Sequence, residues 1–419
     1  MLPTRRTRAA ISRSLTTFCV TSSLFGVACS DPSRSFSAYA DHAGASSSRV
    51  IASSFQLARV SGGSAHSCGL TSGGAAYCWG FNAYGQLGTG TTTDSKVPVP
   101  VVGGLSFTFL AAGQHHNCGI ATSGTTYCWG FNRDGQLGNG TLGGISTVPL
   151  PVVGSQAFAF LAAALYQTCG VTVGNAAYCW GGNYSGQLGN GTNRLRIPVP
   201  TPVEDHGVAF STVSTGSDHS CGMTPLGAAY CWGANYVGQL GTGSMSDSRV
   251  PVPVVGGLTM KVVSALHTHT CAVTITDVAY CWGNNGTGQL GVGSLIGPED
   301  CSGNPCSTVP VAVAGGLSFA TVAAGVAEQH ECGLTTRGSV YCWGWNAWGQ
   351  LGNGTTVDSP SPVAVLGGRS YTAVTAGHSH SCALAADATT YCWGNNMANQ
   401  LGINESLALW PKPAAVVSP

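Results

Sequence analysis

Cysteine is the residue whose type and spacing promise the most chemistry in this chain. Of 18 cysteines, fourteen fall into seven pairs with nine residues between the members: Cys68/Cys78, Cys118/Cys128, Cys169/Cys179, Cys221/Cys231, Cys271/Cys281, Cys332/Cys342 and Cys382/Cys392. Cys301 and Cys306 lie together in one longer interval. Structural zinc draws cysteines two to four residues apart, in sets of four. Pairs ten positions apart in separate copies do not meet that requirement, so no metal is expected. An even set of this kind points to disulfides and an oxidising compartment. The register follows. If Cys68 faces Cys78 across a hairpin, Leu70 faces Ala76, Gly69 faces Tyr77, and Ser72-Gly73-Gly74 makes the turn. Opposed residues of a non-hydrogen-bonded antiparallel pair sit about 4.5 Å apart, within reach of a disulfide. Opposite the seven tyrosines then stand Gly69, Gly119, Gly170, Gly222, Ala272, Gly333 and Ala383, all small, as a bulky partner demands.

Histidine is the second candidate. Two residues before the first cysteine of each pair stand His66, His116, Gln167, His219, His269, His330 and His380. Equivalent positions in repeated units are spread around a ring and cannot converge on one ion. The expectation is a histidine that hydrogen-bonds backbone at a turn. His115-His116, His267/His269 and His378/His380 form local pairs; residues i and i+2 of a strand share a face, so weak, unspecific metal binding stays open there. No nucleophile elbow, phosphate loop, dinucleotide fingerprint or HExxH helix occurs. Asp218 precedes His219 and Glu328 lies two before His330, but no paired-carboxylate setting recurs. The chain is therefore expected not to be an enzyme and to carry no cofactor.

The elements that position these residues come from an internal repeat. Cys-Trp-Gly begins at Cys78, Cys128, Cys179, Cys231, Cys281, Cys342 and Cys392, at intervals of 50, 51, 52, 50, 61 and 50. A turn like Gly85-Gln86-Leu87-Gly88 follows each copy, with Asn399-Gln400-Leu401-Gly402 the one departure. Short apolar runs at 57–60, 67–70, 76–79 and 99–102 read as four strands, and no stretch shows capped helical periodicity. Four strands per copy of about 50 residues predict an all-β, seven-bladed β-propeller of four-stranded antiparallel blades over residues 49–419. The final strand, Lys412 to Val417, resembles Val97 to Val102. It is expected to pair with the blade opened by the N-terminal strands, so that both ends close the ring.

The turn before each Gly-Gln-Leu-Gly varies. It carries Phe81 and Tyr84, then Phe131, Arg133 and Asp134, then Tyr184, Tyr236, Asn284 and Asn285, Trp345 and Trp348, and Met397. On one rim these would form an aromatic surface with an occasional arginine, the composition of protein-binding hot spots and of sugar-stacking surfaces. Packing onto the next blade is the structural alternative. The long interval, Gly293 to Val309, carries Glu299 and Asp300 beside Cys301 and Cys306. It is read either as a disulfide-pinned contact loop or as a neutral insertion.

Charge and composition narrow the classes further. Only 8% of the 419 residues are charged, 16 basic against 16 acidic, with 61 glycines. No basic stripe exists to release counterions, which excludes nucleic-acid binding by phosphate neutralisation. A chain 43% hydrophobic with no net charge is not of the disordered type, and no run reaches the length of a strong membrane span. Residues 1–29 combine Arg5, Arg6, Arg8 and Arg13 with an apolar stretch ending in Gly26-Val27-Ala28-Cys29. That pattern reads as an export signal. It leaves open lipidation of Cys29, at a site resembling a bacterial lipobox, or ordinary cleavage after Ala28. Without the four arginines the remainder has 12 basic and 16 acidic residues, a net of −4. Residues 30–48, rich in Ser and Ala, read as a flexible tether.

The repeat His66-Ser67-Cys68-Gly69-Leu70 followed by Ala76-Tyr77-Cys78-Trp79-Gly80-Phe81-Asn82-Ala83-Tyr84-Gly85-Gln86-Leu87-Gly88 resembles the regulator of chromosome condensation repeat, over all seven copies. The resemblance implies a seven-bladed propeller. The founding member exchanges guanine nucleotide on a nuclear GTPase and binds chromatin, and no exchange-factor residue can be matched to this chain. The family also resembles secreted bacterial propellers that clamp protein targets, including a β-lactamase inhibitor. Fold alone does not give function. The reading is an exported bacterial scaffold, extracytoplasmic and monomeric. It would bind a protein partner, no nucleic acid, and membrane only through a lipid on Cys29. Nucleotide-exchange and carbohydrate-binding propellers are the alternatives. Tyr84, Phe131, Arg133, Tyr184, Tyr236, Trp345, Trp348, Glu299 and Asp300 are the candidate binding residues.

Overall fold

The computed structural model describes residues 55–326 and 329–419. The expected export signal, Cys29 and the tether lie outside the described residues. Seven antiparallel sheets follow one another, each drawn from one copy of the repeat. Blade 1 consists of Arg59–Gly62, His66–Leu70, Ala76–Gly80 and Ser95–Pro100. Residues 107–151, 158–202 and 212–253 supply blades 2 to 4 in the same order, and blades 5 to 7 begin at Met260, Phe319 and Tyr371. The innermost strands touch one another in succession, and Arg59–Gly62 also touches Tyr371–Ala376, so the ring is complete. These inner strands line an axial cavity of about 110 Å³, in which Ser61, Phe109, Phe160, Ser214 and Val263 take part.

The hairpin register matches the expectation: Cys68 faces Cys78, Gly69 faces Tyr77 and Leu70 faces Ala76. All seven repeat pairs are disulfides with Cα atoms 4.0–4.1 Å apart. Cys301–Cys306 is the eighth. The small residue opposite tyrosine has a further cause that strand pairing alone does not show. A Cβ on Gly119, Gly170, Gly222 or Gly333 would lie 2.5–2.7 Å from Phe107, Phe158, Phe210 or Phe319, the aromatic that opens or precedes the inner strand. Alanine stands at this position in blades 5 and 7, whose inner strands open with Met260 and Tyr371.

Each Cys-Trp-Gly tryptophan is fully buried between its own blade and its neighbour. Two glycines make room. Gly80 has φ +104°, and a Cβ there would meet Ala65 O at 2.7 Å and Gln400 Cα at 3.1 Å. Gly88 has φ +67° and admits Trp129 Nε1 to within 2.8 Å of where its Cβ would be. Only glycine takes such torsions at a close approach without strain.

Three features depart from expectation. The last strand, Leu409–Ala415, pairs with Thr390–Asn395 of its own blade, Tyr391 opposite Ala415, and not with the N-terminal strands. Every copy supplies its own fourth strand, so the two ends close the ring by packing blade 1 on blade 7. Blade 5 has a fifth strand: the long interval folds as a hairpin of Glu299–Cys301 on Asn304–Ala312. In blade 6 the inner strand is interrupted, and Ala324–Gly325 runs parallel to Tyr371–Ala376 of blade 7.

Candidate functional site

Because each third strand ends at its Cys-Trp-Gly, the variable turn leaves the blade at the same end as the turn before the first histidine. Phe81 N donates to Ala65 O at 2.9 Å and Phe131 N to His115 O at 2.9 Å. One rim therefore carries both sets of residues, and beneath it lie the seams between blades.

Each seam is built around a glutamine carbonyl. The tryptophan indole of one blade donates to the main-chain oxygen of the glutamine in the preceding blade, at 2.8–3.0 Å in all seven seams. The residue after the histidine position donates to the same carbonyl: Ser67 to Gln400, Thr168 to Gln136, Thr270 to Gln239 and Ser381 to Gln350, at 2.9–3.0 Å. The histidine of the preceding blade reaches the same hydroxyl. His116 Nε2 lies 2.8 Å from Thr168 Oγ1, His219 Nε2 2.8 Å from Thr270 Oγ1, and His380 Nε2 2.8 Å from Ser67 Oγ. A hydroxyl has one proton and a carbonyl can only accept, so the imidazole must donate its Nε2–H. His66 follows the same logic toward Asn117 Oδ1 at 3.1 Å, while Asn117 Nδ2 donates to Gln86 O. His66, His116, His219, His330 and His380 thus bond a side chain across the seam rather than backbone. Gln167 alone takes the backbone route, donating to Gly216 O at 2.9 Å. Burial lowers the imidazoles of His116, His219 and His380 to about 3 and that of His66 to about 4. They are neutral hydrogen-bonding groups, not acid–base catalysts at neutral pH.

Above the seams, the rim residues gather in two clusters. Tyr84 of blade 1 packs its ring 4.8 Å from Phe131 and 4.8 Å from His115, both of blade 2. Phe81 meets Tyr84 edge-on at 5.9 Å. The second cluster joins blades 2 and 3. Asp134, only 1% exposed, pairs with Arg196 at 2.8 Å and accepts the Tyr184 hydroxyl at 2.6 Å. Arg196 Nε also donates to Tyr184 Oη at 2.9 Å, and Tyr166 meets the Tyr184 ring edge-on at 5.8 Å. Burial, then the bond to Asp134, raises the Tyr184 phenol. Arg133, Tyr184 and Tyr236 are exposed, whereas Tyr84, Phe131, Trp345 and Trp348 are half-buried. Packing across blades and exposure therefore coexist on this rim. Tyr236 on blade 4 and the two tryptophans on blade 6 belong to neither cluster.

Glu299 and Asp300 have local duties. Glu299 accepts from Thr308 N at 3.0 Å, and Asp300 accepts from Gly303 N in the tight turn of the hairpin. The Cys301–Cys306 bridge packs on Val237, so the insertion is seated against blade 4 rather than protruding. The histidine pairs separate: His267 and His378 lie in turns and line a cavity of about 20 Å³ at the rim end of the axis, while His269 and His380 are buried in seams. His269, Cys271 and Glu331 bring side-chain atoms within 4.8 Å of one another, but the Cys271 sulfur is bonded to Cys281 and offers no thiolate. Sequence reasoning missed Tyr166, Arg196 and Glu331. Tyr166 and Glu331 sit at turn and strand positions that align between copies, a signal that was present; the Arg196 contact spans 62 residues and left none.

A family model for the "Regulator of chromosome condensation (RCC1) repeat" matches residues 73–120, 123–170, 175–223, 227–273 and 337–384. A second model of the same repeat matches 58–86, 107–136, 210–239, 319–350 and 371–400. The chain is 31% identical to the ultraviolet-B receptor UVR8 of Arabidopsis thaliana over 314 residues, 73% of this chain and 69% of that protein. To the probable E3 ubiquitin-protein ligase HERC4 of Homo sapiens it is 35% identical over 92 residues, 22% of this chain and 9% of that one. Among solved structures, human WBSCR16 superimposes with a TM-score of 0.72 at 21% identity, covering 82% of this chain and 94% of that one. Prp20p from Saccharomyces cerevisiae superimposes with a TM-score of 0.70 at 22% identity, covering 81% and 85%. Seven blades, one repeat per blade and matches over more than half the sequence place this chain in the regulator of chromosome condensation repeat family.

Proposed function

We propose that this protein is an exported, non-catalytic scaffold that binds a protein partner through its turn-bearing rim. The observation that carries the reading is the sector from Phe81 to Arg196. There Arg133 and Tyr184 stand exposed over side chains locked across two seams, Tyr84 on Phe131 and Asp134 on Arg196. Rigid aromatic and arginine side chains on a preorganised base are what binding hot spots use, because little freedom is lost on association. Export is supported by eight disulfides, one in each of the seven blade hairpins and one in the inserted hairpin of blade 5. A protein-binding role also accords with Prp20p, whose binding to Gsp1p and histones has been characterised, and which has been crystallised bound to Kap60.

The test is affinity capture from the native envelope or medium, comparing wild type with an Arg133→Ala/Tyr184→Ala variant of unchanged melting temperature. A protein retained by wild type and lost by the variant is expected. Equal retention would remove the rim from the reading, and a glycan-array signal abolished by Trp348→Ala would favour the carbohydrate alternative.

A further inference from the structure

Six of the seven seams join the blades through neutral groups: a hydroxyl or an amide stands after the histidine position in Ser67, Asn117, Thr168, Ser220, Thr270 and Ser381. The seam between blades 5 and 6 has Glu331 there. This carboxyl is fully buried, and its Oε1 accepts from Ala323 N at 3.2 Å and Cys332 N at 2.8 Å. Its Oε2 has no hydrogen-bond partner among the described residues. Opposite, where five other seams carry a bonded imidazole, His269 is fully buried and neither ring nitrogen has a hydrogen-bond partner among the described residues. Glu331 and His269 lie within 4.8 Å. Two complementary groups facing each other in a fully buried interface favour one arrangement. A carboxylate beside a neutral imidazole would leave a net buried charge, whereas one added proton makes the pair neutral and fills the missing hydrogen bond.

We propose that Glu331 and His269 hold one proton between them, which makes the blade 5–6 seam, among the seven, the one that gives up a buried carboxyl proton as pH rises. Among the described residues, no other charged group is paired with them. Around the pair, the titratable groups on the described elements are His330 and Tyr341 of blade 6, His267, Tyr280 and Lys261 of blade 5, the last paired with Asp277, His219 of blade 4, and Tyr371 and His380 of blade 7. Burial pushes the Glu331 carboxyl well above its ordinary range and holds the His269 imidazole down to about 3, which agrees with a single shared proton over a wide span. A carboxyl whose folded value is raised stabilises the fold while it keeps its proton, and that contribution is lost as pH rises through the folded value. Removing the proton leaves a buried negative charge in one seam, and that seam loosens before the others.

Hydrogen exchange read by mass spectrometry on the full, oxidised chain tests this, with rates corrected for intrinsic pH dependence. From neutral to alkaline pH, peptides covering Met260–Thr274 and Phe319–Thr335 should lose protection first, while those of the blade 1–2 seam keep theirs. Glu331→Gln, which cannot ionise, and Glu331→Ser, which installs the hydroxyl of other blades, should both abolish this early loss. Simultaneous loss in all seams, or the same alkaline loss in Glu331→Gln, overturns the proposal. Should both variants fail to fold, the wild-type pattern alone decides: early loss confined to this seam supports the shared proton, and uniform loss refutes it.

Discussion

His115 and His116 are neighbours in sequence with opposite assignments. His116 is buried in the seam between blades 2 and 3, its Nε2 on Thr168. His115 sits on the rim, against the rings of Tyr84 and Phe131. One residue of chain separates a position that every blade must fill with a seam-bonding group from one that holds Ala65, His115, Tyr166, Asp218, Thr268, Gln329 and Ser379 in the successive copies. The seam is constrained because a buried polar group without a partner costs about 1–3 kcal/mol. The rim is free to vary because its groups reach solvent or one another. The first position holds the seams together; the second belongs to the rim surface proposed to bind.

The largest expected effect breaks the seams together. His116, His219, His269 and His380 are held near 3 and His66 near 4, against 6.5 in the unfolded chain. Depressed imidazoles leave the unfolded state binding more protons below pH 6.5. Stability should therefore fall as pH drops from there toward 3, by about 1.4 kcal/mol per pH unit for each such histidine. Urea midpoints measured across this range check the slope. His116→Gln should reduce it by about one proton, since Gln167 shows that glutamine fits the position; an unchanged slope would show that His116 does not contribute.

Next in size, Trp129→Ala removes a fully buried indole and its bond to Gln86 O, at a cost of about 3–5 kcal/mol in chemical unfolding. A loss under about 1 kcal/mol would mean that the seam is not a tightly packed interface. The smallest effect sharpens the contrast. His115→Ala forfeits ring contacts worth about 0.5–1.5 kcal/mol, while capture of the rim's partner should fall severalfold. If His115→Ala leaves capture intact, the aromatic cluster is packing and not a docking surface.

Most of the scaffold was legible because it repeats. The Cys-x9-Cys spacing fixed the hairpin register, and the interval between copies counted the blades. Ring closure was misread because strand pairing at the ends depends on which third strand is already present, here Thr390–Asn395. The candidate site was legible only as a list of turn residues. Which of them meet depends on distances between blades: Tyr84 reaches Phe131 47 positions on, while Trp345 and Trp348 lie on a remote blade. Glu331 was visible as a letter, but its isolation required knowing that residue 269 faces it.

Trp79 donates to Gln400 O at 3.0 Å, as each other tryptophan does to the blade before it, although the two lie 321 positions apart in the chain. Since no strand is exchanged there, this joint is chemically the same as the joints between covalently consecutive blades, and the first and last blades occupy no privileged place. A circular permutant should accordingly fold to the same wheel, with the old ends tethered and new ones opened in the link at 101–106 between the first two blades.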